Sequence, residues 1–200
     1  MKGEFEMSMV GELTFFLGFQ IKQENIGIFF SQEKYVKNLI SKFGMDKARS
    51  KRTPAATYLK MTKDTNGERV DTNLYRSIIG SLLYLTASRP DIAFAVGVCA
   101  RYQADPRTSH LHCAKRILKY ISGTFNYGIW YTYDTTGTLV GNCDADWAGC
   151  TDDRKSTYGG CFFLGNNVTA YFSKKQNSVS LSTAEVEYIA AGSTTLNCCG

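Results

Sequence analysis

The sequence predicts an α+β fold, in which a β-hairpin and a helical layer precede a sheet-forming half that ends in one helix. Three observations carry that prediction. Aromatic and β-branched residues flank a glycine-closed turn between Thr14 and Gln32. Apolar residues recur at helical spacing in three bounded segments between Asn73 and Ile121. After Gly123 the pattern changes to short runs rich in Tyr, Val, Phe and Trp.

Taken in order, LTFFLGFQI and IFFSQ read as two strands joined by the turn Glu24-Asn25-Ile26-Gly27. Ser31 is placed to cap a helix reaching about Phe43, with Tyr35, Val36, Leu39, Ile40 and Phe43 on one face and Gly44 as the stop. The polar stretch to about Val70 contains Thr53-Pro54 and Asn66-Gly67, lacks a sustained period, and reads as a connector. Helices are expected at 73–87, 90–102 and 108–121, each with an apolar stripe. Strands are expected near Ile129 to Tyr133, Leu139 to Asp144, Tyr158 to Leu164 and Val168 to Ser173, with a last helix from about Thr183.

Composition narrows the function classes only modestly. The net charge of +5 permits a nucleic-acid partner without requiring one. No apolar run approaches the roughly 18 residues of a membrane span, so no membrane partner is expected and the expected location is intracellular, cytoplasmic or nuclear. The 7 cysteines are an odd number without zinc-site spacing, and His110 and His112 stand apart from any cysteine pair. Reduced thiols are the expectation.

Chemistry, if any, rests on carboxylates. Asp144 and Asp146 close an apolar strand, and Glu185 and Glu187 sit in the first turns of the last helix. Two-metal phosphodiester hydrolysis needs such a cluster, because Mg2+ takes oxygen ligands and two ions must hold the attacking and leaving oxygens. The plainer reading is structural. Ser182-Thr183-Ala184-Glu185 has the form of a capping box, and an acidic pair at a strand end is commonly solvated. Glu187 lacks that excuse, and Ala184, Ala190 and Ala191 around it are small enough to admit close approach to a sheet. Asp152 and Asp153, beside Arg154 and Lys155, read as a solvated turn.

The run CDADWAGC, then DDRKSTYGGCFFLGNN, then FSKKQNSVSLSTAEVEYIAAGS, resembles the ribonuclease H domain of copia-type retrotransposon polyproteins. GELTFFLGFQI with GIFFSQEKYVKNLISKFGM is similar to the end of that family's reverse transcriptase, a primer-holding hairpin followed by a thumb helix. YRSIIGSLLYLTASRPDIAFAV and HLHCAKRILKYISGT resemble the connection segment between the two enzymes. The resemblance implies three parts: 1–57, the end of reverse transcriptase; 58–136, a helical connection; and 137–200, the N-terminal half of a ribonuclease H domain with a truncated mixed sheet and one helix. It also implies that Asp144 and Glu187 are catalytic ligands of Mg2+, with Asp146 and Glu185 beside the site in lesser roles. Tyr171 stands where the family usually has tryptophan.

The resemblance further implies an incomplete machine. The family's polymerase motif, Tyr-x-Asp-Asp, occurs nowhere between Met1 and Gly200, and its third ribonuclease H aspartate is expected beyond Gly200. A retroelement remnant with neither polymerase nor ribonuclease H activity, and with Mg2+ weakly bound or absent, is the first expectation. A second is a passive module for an RNA–DNA hybrid or template-primer. Between Lys42 and Lys63 stand 7 Lys or Arg against one Asp, and Arg107, Lys115, Arg116 and Lys119 form another basic group. A third is a ribonuclease H completed by a partner chain.

Overall fold

The computed structural model describes residues 13–56 and 61–199, with side chains to 195. Residues 1–12, 57–60 and 200 lie outside the described residues, and with them the start of the expected reverse-transcriptase part, its boundary at 57, and Lys60 of the basic run. The side chains of Cys198 and Cys199 lie outside them too.

Two antiparallel sheets and five helices are formed among the described residues. Strands β1 (Phe15–Phe16), β2 (Phe19–Glu24) and β3 (Gly27–Ser31) come first. The single expected strand over Leu13 to Ile21 is thus broken in two. Leu17 and Gly18 take φ of 47° and 83°, and the Tyr84 hydroxyl holds the reversal by donating to the Leu17 carbonyl at 2.8 Å. Helix α1 (Glu33–Lys42) follows, with Gln32 rather than the expected Ser31 at its N-cap. Ser31 is unavailable because it closes β3, paired with Gln20 on one side and Gly128 on the other. Gly44, at φ 64°, supplies the expected stop.

After an irregular connector come α2 (Thr72–Leu85), a 3-10 turn at Pro90–Ile92 running into α3 (Ala93–Ala100), and α4 (Thr108–Ser122). The helix starts have physical causes. The Asp71 carboxylate accepts from the amides of Asn73 and Leu74, and His110 Nδ1 accepts from the Arg107 amide at 2.9 Å. These helices and α1 bury one core, in which Tyr75, Ile79, Leu82, Val96, Ile117 and Ile121 are each fully enclosed.

Strand β4 (Gly128–Thr132), the first of the four strands expected after Gly123, does not join the other three. It returns to the hairpin and pairs with β3, setting Phe29 opposite Trp130 and Phe30 opposite Ile129. Aromatic cross-strand contacts, Phe29–Trp130 and Phe30–Tyr131, reward that register. Strands β5 (Leu139–Ala145), β6 (Thr157–Leu164) and β7 (Asn167–Lys175) form the second sheet in that order. The expected mixed sheet is not seen among the described strands, which are all antiparallel. The turn Gly165-Asn166 and the loop 146–156 join successive strands without the crossover that a parallel pair needs. Asn167 bridges the two sheets by bonding the backbone N–H and C=O of Thr132 at 2.8 and 2.9 Å.

The second sheet lies between helices. On one side α5 (Thr183–Cys199) buries Val186 and Ala190 and sets the Thr194 methyl over Gly160. On the other, α3 brings Gly97 against the backbone of Ser173, and Arg101 donates to the Thr157 hydroxyl at 2.8 Å. No helix among the described residues is long and apolar enough to cross a membrane.

Arg89 ties the helical layer together. Its side chain is 2% exposed, grips Asp91 through two nitrogens at 2.8 and 2.7 Å, and donates to both oxygens of Thr124. Burial pulls the Asp91 carboxyl upward, but hydrogen bonds from Arg89 and Tyr120 outweigh it and leave the group below its ordinary value. Asp91 therefore contributes stability that is present above the ordinary aspartate range and is lost as pH falls through the lowered folded value. Two results are expected in urea unfolding: Arg89→Ala loses about 3 kcal/mol, and Asp91→Asn flattens the acid limb of the stability profile.

Candidate functional site

Residue alternation decides where each candidate carboxylate sits. Asp144 pairs with Gly159, which pairs with Ser173, so Asp144 shares its face of the sheet with Thr157 and Tyr171, the face that meets α3. The opposite face carries Gly160, Phe162 and Phe172 and is covered by α5. Asp144 is exposed, and among the described residues its carboxylate is bonded only to the next backbone amide, Ala145, at 3.0 Å.

A cleft of about 570 Å³ opens between the Pro90–Phe94 corner and this face, and both Asp144 and Asp146 line it. Asp146 is held quite differently from Asp144. Its carboxylate accepts from the Thr157 amide, its own amide donates to the Thr157 carbonyl at 2.9 Å, and Gly149 packs so closely that a Cβ there would strike the carboxylate. Asp146 thus closes the loop between β5 and β6.

Glu185 is also engaged structurally. It receives the Leu181 amide at 2.7 Å while its own amide donates to Ser182 at 3.2 Å. The expected cap therefore forms, with the return bond reaching one residue further back than Ser182. Glu187 is exposed on α5, a helix that packs on β5, but it is not among the residues lining the Asp144 cleft. Among the described residues, no three His, Cys, Asp or Glu side chains converge on one metal position.

Asp152 and Asp153 are more than the solvated turn expected of them. Asp152 accepts from the Lys63 amide at 3.1 Å and from the Tyr102 hydroxyl at 3.3 Å, docking the connector onto the loop. Asp153 pairs with Lys175 at 2.7 Å, which holds its carboxyl far below the usual range. Tyr171, flagged only as a departure from tryptophan, lines the cleft and donates its hydroxyl to the Thr86 carbonyl at the end of α2. Burial pushes its pKa up to about 12. The aromatic position was visible in the sequence, but the long-range acceptor was not.

The basic group on α4 has partners of its own. Arg116 donates to the Thr53 hydroxyl at 2.9 Å, and the Lys119 carbonyl receives the Lys51 amide at 3.1 Å. These bonds lay the connector along α4, leaving Lys47, Arg49, Lys51 and Arg52 exposed while Lys115, Arg116 and Lys119 are half-buried.

Comparisons with known proteins agree over nearly the whole length. The chain is 38% identical over 186 residues to an uncharacterised mitochondrial protein of Arabidopsis thaliana, covering 93% of this chain and 77% of that one. It is 38% identical over 183 residues to the retrovirus-related Pol polyprotein from transposon RE1 of the same plant. It is 37% identical over 199 residues to the corresponding polyprotein from transposon TNT 1-94 of Nicotiana tabacum. The chain spans 12% and 15% of the lengths of those two polyproteins. No family model matches, and no solved structure matches.

The different holdings of the two cleft carboxylates are measurable. Asp146→Ala orphans the Thr157 amide and is expected to cost about 1–3 kcal/mol in urea unfolding, whereas Asp144→Ala should stay within about 0.5 kcal/mol of the parent.

Proposed function

We propose, from the premise that this chain belongs to the retrovirus-related Pol polyprotein family of copia-type transposons, that it joins the end of a reverse transcriptase to the front of a ribonuclease H domain. In this reading the intact polyprotein copies RNA into DNA and degrades the RNA strand of the hybrid. Asp144 and Glu187 are its Mg2+ ligands on this segment, although here Asp144 stands on the sheet face that meets α3 and Glu187 on the helix covering the opposite face, outside the Asp144 cleft. The observation that carries the reading is the exposed Asp144 at a cleft on β5, inside the run CDADWAGC that first pointed to the family.

The 200-residue chain by itself is proposed to be inactive in both reactions. It contains no Tyr-x-Asp-Asp motif. Of its four candidate carboxylates, Asp146 and Glu185 are bonded to backbone amides that fix a loop and a helix start. That leaves Asp144 and Glu187, and two carboxylates hold Mg2+ weakly and position a pair of ions poorly, while positioning is most of what such a site contributes. Incubated with Mg2+ and an RNA–DNA hybrid, the chain is expected to leave the RNA strand intact. Cleavage that disappears in Asp144→Asn or Glu187→Gln would overturn the proposal and favour a site completed by a second chain.

The basic connector supports a second reading, a passive nucleic-acid surface. The Lys51 amide and the Arg116 side chain bond the connector to α4, so the exposed Lys51 and Arg52 lie beside the helix that carries the half-buried Lys115, Arg116 and Lys119. A phosphate backbone tracking this surface would be held by charge and helix shape rather than by base sequence. Hybrid binding should weaken steeply with salt, and the double variant Lys51→Ala, Arg52→Ala should reduce the slope of log K against log salt by about 1–2. A slope that does not change would remove these residues from the surface.

A further inference from the structure

We propose that Cys150 and Lys175 form an oxidation-driven covalent crosslink, a sulfenamide between Sγ and Nζ that fastens the 146–156 loop to β7. The two atoms stand 3.2 Å apart, in contact but not bonded, on segments 25 residues apart in the chain. Neither side chain is free to wander. Cys150 is 5% exposed, and its backbone is pinned within the loop, with the amide donating to the Lys155 carbonyl at 3.1 Å and the carbonyl accepting from the Arg154 amide at 2.8 Å. Lys175 is paired with Thr157 in the sheet, and Asp153 holds its ammonium from the other side at 2.7 Å.

What an oxidised Cys150 would meet decides the product. All five cysteines with described side chains are free thiols, so Cys150 has no disulfide partner among them, and its burial keeps bulk thiols away. The nucleophile in contact with it is the Lys175 amine. With hydrogen peroxide as oxidant, the thiol first becomes a sulfenic acid and water is released, so that sulfur is oxidised while peroxide is reduced. The Lys175 ammonium releases its proton to water, and the amine lone pair attacks sulfur. The S–N bond forms as the S–O bond breaks, and hydroxide leaves with the second amine proton as a molecule of water. The product is a neutral Sγ–Nζ bond carrying one hydrogen on nitrogen, and the net change from thiol and amine is loss of two hydrogens. The crosslink removes the cation that Asp153 now pairs with and replaces a contact by a bond across the loop that carries Asp146.

The test is peptide mapping of the full chain after mild peroxide treatment and alkylation. The expected product joins peptide 120–154 to the peptide that begins at 175, lighter by two hydrogens than the sum of the two, and dithiothreitol separates them. Trypsin should no longer cut after Lys175. In Lys175→Arg, which keeps a cation for Asp153, the crosslink should vanish and Cys150 should run on to the sulfinic acid. A crosslinked peptide heavier by one oxygen, the S–O–N form, also supports the pairing, because it places the bond between the same residues. Cys150 recovered from the oxidised parent only as free thiol or sulfinic acid, or an undiminished crosslink in Lys175→Arg, overturns it.

Discussion

A guanidinium that water cannot reach sets the terms for the helical layer. A buried cation is tolerated only when its charge is paired and its donors are met. Arg89 meets that demand with Asp91, with the hydroxyl and carbonyl of Thr124, and with the rings of Tyr120 and Tyr127 at 5.5 and 5.3 Å. Those partners come from the start of the 3-10 turn, the end of α4 and the approach to β4. The neighbouring Ser88 bonds the buried Gln32 at 2.7 Å, bringing in the start of α1. Arg89 and Ser88 together thus hold the starts of α1 and the 3-10 turn, the end of α4 and the approach to β4, and the Pro90–Phe94 corner that walls the Asp144 cleft takes its position from the same knot.

The second sheet depends on close approach at small residues. Gly97 lets α3 lie against β7, and Gly160 lets Thr194 of α5 lie over β6. Between those helices, the loop 146–156 does two jobs through backbone-directed carboxylates. Asp146 closes it on Thr157, and Asp152 reaches out to Lys63 and Tyr102. The strand bearing Asp144 is therefore coupled to the connector and to the end of α3 as well as to its own sheet.

Much of this was legible because it is local. Periodicity and punctuation placed α2, α4 and α5 within a few residues, since an amphipathic stripe and its stop signals are written in the helix itself. The strands β5, β6 and β7 were found for the same reason. What failed was pairing. Nothing in Gly128–Thr132 announces that it will join β3, which lies near the other end of the chain, because strand partners are chosen by contacts distant in sequence. Ser31 looked like a cap until the sheet claimed its backbone. Glu185 was recognised as a capping residue from spacing alone, whereas the anchoring of Asp146 depended on Gly149 and Thr157, whose approach becomes visible only once the loop has folded.

The same limit applies to the site. The resemblance read from the sequence points to Asp144 and Glu187, but the fold sets Asp144 on the sheet face that meets α3 and Glu187 on the helix that covers the other face, and no motif spacing could have foretold that. The most direct measurement is paramagnetic broadening by Mn2+, a stand-in for Mg2+, followed by NMR at each residue of the full chain. Weak but simultaneous broadening centred on Asp144 and Glu187, lost in Asp144→Asn, is expected. Broadening confined to another carboxylate, such as Asp152 or Asp105, with Asp144 and Glu187 untouched, would contradict it.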